Sequence, residues 1–115
     1  MKTAISTDLI RGHTDAIILN LLRQGDSYGY ELYKKIARLS DHQYELKEAT
    51  LYTAFRRLEQ EGYIVSYWGD ETQGSRRKYY RITDEGKVHY QKRVQDWDVA
   101  KEILEKLIKG GLCDE

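Results

Sequence analysis

The sequence contains no proline, only one cysteine and no long apolar run. Without proline-rich linkers, low-complexity segments or repeats, its 115 residues indicate a single structural unit. The lone Cys113 cannot form an internal disulfide, so we expect a reduced, cytoplasmic protein. No segment approaches the roughly 20 apolar residues of a membrane span, and we see no apolar stretch of the signal-peptide type. We therefore expect no membrane partner.

The sequence also lacks an excess of charge of either sign, since 19 basic residues balance 19 acidic ones. Net charge therefore provides no argument for a nucleic-acid partner, and any such argument must rest on local clusters. One cluster stands out, because Arg76, Arg77, Lys78 and Arg81 fall within six positions that contain no acid. The basic residues of an isolated run like this one are usually only solvent-exposed, so the surrounding structure decides whether this cluster binds a nucleic acid.

Residue sets that support catalysis or metal binding are missing as well. His13, His42 and His89 are scattered, and no HxxxH or CxxC spacing is present. We find no Ser-His-Asp or Cys-His arrangement and no glycine loop of the phosphate-binding type. We therefore expect no enzyme, no metal and no cofactor.

The periodicity of the apolar residues predicts the secondary structure. It indicates helices over residues 5–23, 27–39, 47–61 and 84–109, and Ser27 and Thr83 are the expected N-caps of the second and fourth. Between the third and fourth helices, alternating β-formers predict a hairpin of two strands, 64–68 and 78–82, around a long polar loop. We expect Trp68, on the first of these strands, to pack in the core.

This order of elements predicts a mostly α fold with a small antiparallel β-hairpin, namely a winged helix-turn-helix followed by a long C-terminal dimerisation helix. We assign residues 1–82 to the DNA-binding domain, with the N-terminal helix contributing to a dimer. Residues 83–110 form the dimerisation helix, and 111–115 a flexible tail. The last helix is longer than so small a domain can cover, which points to a second chain.

The third helix carries the pattern that indicates DNA binding. One side is apolar, and the opposite side presents Tyr52, Thr53 and Arg56. In a winged helix this element enters the major groove, where an arginine can bind a guanine edge and Thr or Tyr can reach phosphates or methyl groups. Tyr52 could instead be half-buried packing. The loop end of the hairpin adds three cations suited to phosphates or a narrow minor groove, which are Arg76, Arg77 and Lys78.

Three motifs resemble those of PadR-like transcriptional regulators: Gly25–Leu32, Ala49–Gly62 and Arg77–Gly86. The resemblance implies a homodimer in which the last helix packs on the first and last helices of the partner. It also implies that a set of residues faces double-stranded operator DNA, namely Tyr28, Thr50, Tyr52, Arg56, Arg76, Arg77 and Lys78. The segments 48–53 and 66–71 look like the subgroup that contains the multidrug-binding repressor LmrR.

That subgroup has a tryptophan in the middle of its last helix, where flat aromatic drugs stack at the dimer centre, and Trp97 matches this position. The resemblance implies further lining residues, which are Leu9, Gly12, Asp15, Ala16, Val94, Lys101 and Leu104. Paired indole rings provide stacking and cation–π contacts. Because Val94 and Lys101 replace an aromatic residue and an acid of the pattern, an anionic or neutral planar aromatic effector is favoured. Trp97 could instead only pack the dimer core.

The sequence thus leads to a ligand-responsive transcriptional repressor that binds DNA as a homodimer. A different class of function stays open, in which the long helix is a protein-interaction module without an effector. Specific, salt-sensitive binding to DNA would separate the two.

Overall fold

The computed structural model describes residues 7–70 and 76–112. Within these residues the chain forms five helices and three strands. Their bounds are α1 Thr7–Ile10, α2 Thr14–Leu22, β1 Ser27–Tyr28, α3 Gly29–Leu39, α4 Glu48–Gln60, β2 Ile64–Trp68, β3 Lys78–Ile82 and α5 Asp84–Lys109. Parts of three predicted features lie outside the described residues: the start of the first helix, the middle of the hairpin loop and the end of the C-terminal tail.

The prediction of one continuous first helix was wrong, because α1 and α2 are separate. The chain breaks at Gly12, whose φ of 93° lies in the left-handed region. The N–H of His13 then donates to the carbonyl of Ile10, at 2.8 Å, before α2 begins at Thr14. This kink, residues 11–15, turns the chain so that its side chains meet both α4 and α5.

The core lies between α2, α3, α4 and the sheet. As predicted, α4 has one buried face, formed by Leu51, Ala54, Phe55 and Leu58. These side chains pack with Ile18 and other fully buried residues of the neighbouring helices. Burying a large apolar side chain contributes about 1.5–3 kcal/mol, so this face fixes α4 on the core and leaves its opposite face to solvent.

The sheet has three strands in the order β1-β3-β2, all antiparallel. The hairpin of β2 and β3 was predicted, whereas β1 was not. Ser27 does not cap α3 as expected. It lies in β1, is 0% exposed and donates its hydroxyl hydrogen bond to Glu31. The prediction for Trp68 was also wrong, since its side chain is 58% exposed.

The last helix, α5, has the predicted bounds and the predicted cap. Thr83 accepts a hydrogen bond from the N–H of Gly86, at 3.0 Å, and the helix ends before Gly110. Its 26 residues span about 39 Å. The N-terminal half packs on α2, where Tyr90 donates to Asn20 at 3.1 Å. Among the described residues, no helix combines the length and apolarity that crossing a bilayer requires.

Candidate nucleic-acid interface

The exposed face of α4 carries the side chains expected to read DNA. Tyr52, Thr53 and Arg56 are all exposed. The hydroxyl of Thr53 donates to the carbonyl of Ala49, at 2.9 Å, so its methyl group and its acceptor lone pairs remain for a partner. No described residue bonds the guanidinium of Arg56, which therefore keeps all five donors for a ligand outside the chain.

A cleft of about 430 Å³ lies beside this face, between α4, the start of α3 and the hairpin. We call it the wing cleft. Its lining residues are Tyr28, Gly29, Tyr30, Lys34, Tyr52, Arg76, Arg77 and Lys78. Three of its cations lie over aromatic rings, with Arg77 4.7 Å from the ring centre of Tyr28, Lys34 4.8 Å from that of Tyr30 and Lys78 5.8 Å from that of Tyr80. These cation–π contacts hold positive charge beside α4.

Gly29 determines where Tyr52 lies in the wing cleft. A Cβ atom at position 29 would be 2.6 Å from the Tyr52 hydroxyl, so only glycine permits this approach. The Tyr52 ring is 47% exposed and meets Phe55 edge-on, with centroids 5.8 Å apart. Phe55 in turn stacks on Tyr80 at 4.0 Å, and burial raises the pKa of Tyr80 to about 12. Tyr52 is thus both packed on the core and open to a ligand.

A polar cluster that we did not predict anchors the hairpin. Asp26 Oδ2 accepts hydrogen bonds from the Tyr67 hydroxyl, at 2.6 Å, and from Arg81 Nε, at 3.0 Å. Burial alone would raise the pKa of Asp26, but these two hydrogen bonds and the Arg81 charge outweigh it and lower that pKa. Arg81 therefore fixes the strands against the turn before β1. Asp26 belonged to a recognised motif, but its partners are 41 and 55 residues away along the chain.

A second cleft, of about 410 Å³, lies on the other side of α4. We call it the kink cleft. Its lining residues are Arg11, Gly12, Thr14, Asp15, Thr50, Thr53, Ala54, Arg57 and Arg93. Arg57 of α4 forms an ion pair with Asp15, and Arg93 of α5 donates to the carbonyl of Gly12. Thr50, expected at the DNA surface, lies here and not in the wing cleft. The three arginines were missed because the break at Gly12 that gathers them was not foreseen.

The side chains predicted to bind an effector are only partly brought together. Trp97 is 45% exposed, and its ring meets His13 edge-on at 5.2 Å. Leu9, Val94 and Leu104 are exposed, whereas Gly12 and Asp15 line the kink cleft. Lys101 pairs with Asp98 at 3.3 Å. Ala16 is half-buried in α2.

The described residues offer no group of three or more His, Cys, Asp or Glu side chains that could hold a metal ion. The arrangement is instead suited to polyanions and aromatic rings. Two clefts lined by cations flank one exposed helix face.

Comparison with protein families agrees with this geometry. The model of the transcriptional regulator PadR-like family matches residues 18–92, from α2 into the first half of α5. The chain belongs to this family. It is therefore a DNA-binding transcriptional regulator, and the family is not one of enzymes. PadR-like regulators among the solved structures confirm the winged helix and the long last helix of this member.

Several individual proteins are similar to this PadR-like regulator. A transcriptional regulator from Clostridium thermocellum is 52% identical, with a TM-score of 0.85, and the match covers 92% of this chain and 100% of that one. A PadR family transcription regulator from Clostridium difficile is 36% identical, with a TM-score of 0.72 and coverage of 84% and 98%. An uncharacterised protein of Lysinibacillus sphaericus is 43% identical over 92% of this chain and 97% of its own length.

Proposed function

We propose that this PadR-like regulator is a homodimeric, ligand-responsive repressor that reads operator DNA with α4 and the hairpin. The observation that carries the proposal is the exposed face of α4 next to the cations of the wing cleft. In this proposal residues 1–82 bind DNA and α5 holds the dimer together.

Within this proposal, the chemistry of each side chain decides its role. Arg56 lies at the centre of the exposed face with all its donors available, which suits a bidentate contact to a guanine edge. Thr50 and Tyr52 offer hydroxyl donors for phosphates, whereas Thr53, whose hydroxyl donates to Ala49, offers its methyl group for contact with thymine. The remaining residues suit the sugar-phosphate backbone, and they are Tyr28, Arg76, Arg77 and Lys78.

The second half of α5 supports the dimer. Apolar side chains are exposed along this helix, among them Trp97 (45%), Leu104 (48%) and Leu107 (75%). They repeat at helical spacing, as expected for a seam between two helices. A second copy of the chain is the occupant that the family resemblance implies, because the last helices of the two protomers pack together in it.

Trp97 is the centre of the proposed effector site. Asp15 and Asp98, the two acids that could attract a cation, are engaged by Arg57 and Lys101. A cationic drug would have to compete with these pairs, so an anionic or neutral planar aromatic compound fits better. The likeness of segments 48–53 and 66–71 to the LmrR-containing subgroup supports an aromatic compound of this kind.

The kink suggests how such an effector changes DNA binding. His13 contacts Trp97 and Gly12 accepts from Arg93, so α5 holds the kink at two points. Two residues further on, Asp15 pairs with Arg57 of α4. A compound that separates Trp97 from His13 would therefore displace the residues that position α4. To release DNA, it must bind the DNA-incompetent arrangement more tightly than the competent one.

The DNA-reading function is tested by Arg56→Ala in a titration of the DNA upstream of the gene. We expect a loss of about 1–3 kcal/mol in specific binding if Arg56 contacts a base. Lys87→Ala removes one cation that lines neither cleft and serves as the matched control. Equal binding by Arg56→Ala and the control would refute the role of Arg56. No specific, salt-sensitive binding by the unaltered protein would favour an interaction module.

The effector site is tested by tryptophan fluorescence. The chain has two tryptophans, so the measurement uses a Trp68→Phe background in which Trp97 is the sole emitter. We expect an anionic planar aromatic, such as an anthraquinone sulfonate, to quench this emission and to weaken DNA binding in the same concentration range. Trp97→Leu is the control and should lose the effect on DNA. Unchanged emission with anionic, neutral and cationic aromatics would refute the pocket.

A further inference from the structure

We propose that the kink cleft binds a backbone phosphate of operator DNA, through Arg11 together with Arg57 and Thr50 of α4. This inference rests on the proposed function, and it adds a contact surface beyond the helix-turn-helix and the hairpin. Four of the cleft residues precede the range matched by the family model and one follows it.

The position of the cleft on α4 is the first argument. Successive helix residues are about 100° apart, so Tyr52 lies about 40° to one side of Arg56 and Arg57 about 100° to the other. Tyr52 lines the wing cleft and Arg57 the kink cleft. The two clefts therefore lie on opposite flanks of the face that reads bases. A helix with its side chains is about 10–12 Å wide and fills a major groove of about 12 Å. Each flank of α4 would therefore face one of the two sugar-phosphate backbones that border the groove.

The charge of the cleft is the second argument. Three arginines and one acid line it, and Asp8 pairs with Arg11 at its rim, which leaves a net positive charge of one. Asp15, the acid, is already paired with Arg57, and its side chain is only 15% exposed. Arg93 and Arg57 each use donors within the chain but retain others, because a guanidinium has five. The remaining potential is positive and attracts a phosphate.

The polar groups around the arginines are the third argument. Thr14 and Thr50 contribute hydroxyl donors to the same cleft, whereas the Thr53 hydroxyl already donates to Ala49. The N-terminus of α2 also opens here, and no side chain caps it. Guanidinium groups, hydroxyls and free helical N–H groups are the donors that bind DNA phosphates.

The exposure of Arg11 favours DNA over a small free anion. Its side chain is 76% exposed and bonded at 2.9 Å to Asp8, which is 80% exposed. Such an exposed pair contributes little to stability, so Arg11 can turn to a phosphate at small cost. It lies at the rim, where a long polyanion passing over the cleft would contact it.

The test compares Arg11→Ala with the unaltered protein across a salt titration. Each phosphate contact contributes about 0.9 to the slope of log affinity against log salt. We expect the slope to fall by about that amount per protomer, and affinity at 0.1 M salt to fall about eightfold per protomer. Lys87→Ala should leave both unchanged. Arg57→Gln, which also lines the cleft, should lower the slope in the same direction.

Ethylation interference then locates the contact. In the unaltered complex, ethylating the phosphate that the kink cleft holds, one in each half-site, should block binding, and with Arg11→Ala the interference at that phosphate alone should become weaker. The same interference pattern for both proteins, or weaker binding with an unchanged salt slope, would overturn the phosphate contact. Absence of salt-sensitive binding by the unaltered protein would instead refute DNA reading itself, so the two failures are distinguishable.

Discussion

Gly86 lies where α5 packs closely against the hairpin, and replacing it with alanine should weaken this packing. A Cβ atom there would be 2.1 Å from the carbonyl oxygen of Tyr63 and 2.8 Å from Cγ1 of Ile82. The first contact is with backbone, which cannot turn away as a side chain can. Thr83 holds the same carbonyl through its N–H at 3.0 Å, so a shift of α5 would strain this hydrogen bond as well.

The magnitude follows from two opposing effects. Overpacking of a tight site costs about 1–3 kcal/mol or more. Alanine also favours a helix over glycine by about 1 kcal/mol, although less in the first turn, where Gly86 lies. We therefore expect Gly86→Ala to lower the free energy of unfolding by about 1–2 kcal/mol, which corresponds to a fall in Tm of several degrees for a chain of this size.

The assay is thermal unfolding followed by circular dichroism at one fixed protein concentration, because Tm depends on concentration if the protein is dimeric. Gly111→Ala is the matched control, since a Cβ atom at that position meets no atom within 4 Å. A Gly86→Ala protein that melts no lower than this control would refute the reasoning, because the close approach to Tyr63 would then carry no energetic cost.

Three further predictions concern the hairpin, the wing cleft and α5. Asp26→Asn should make the free energy of unfolding less dependent on pH. Because the pKa of Asp26 is lowered in the folded protein, its carboxylate stabilises the fold above about pH 4, and this contribution is lost as the pH falls further. The difference in the free energy of unfolding between the variant and the unaltered protein, measured in urea, should therefore narrow from pH 6 to pH 3. Gly29→Ala should displace Tyr52 and weaken DNA binding in the same titration by more than it lowers Tm. Leu104→Glu should give monomers by light scattering at micromolar concentration, whereas Lys106→Glu should not.

Elements that depend on local chemistry could be predicted from the sequence. The bounds of α5 follow from the Thr83 cap at one end and Gly110 at the other, both of which act within one helical turn. The two faces of α4 follow from helical periodicity, so Arg56 was expected at the surface before any contact was known. Periodicity also placed Tyr52 on this exposed face but did not decide whether its ring packs on the core. The structure shows that the ring is both packed and exposed.

Features that depend on tertiary pairing could not be predicted in this way. Strand β1 has only two residues, which is too short for a periodic pattern, and it exists because Ser27 and Tyr28 pair with Tyr80 and Tyr79. Trp68 has the composition of a core residue, yet it ends β2 near the loop, where no layer covers it. Strand β1 thus depends on residues far away along the chain, and the exposure of Trp68 depends on the absence, among the described residues, of any layer that covers it.

The kink between α1 and α2 shows how one misjudged residue can hide a site. Periodicity placed Gly12 inside one continuous helix, and Asp15 was assigned to the effector site, so neither Arg11 nor a contact between Asp15 and α4 was recognised. Because Gly12 adopts a positive φ, the chain turns, and Asp15 reaches Arg57 while His13 reaches Trp97. The same few residues thus contact the helix that would read DNA and the tryptophan that would bind an effector. A helix continuing through this point would change the direction of both contacts, so the break is what allows one segment to serve both proposed sites.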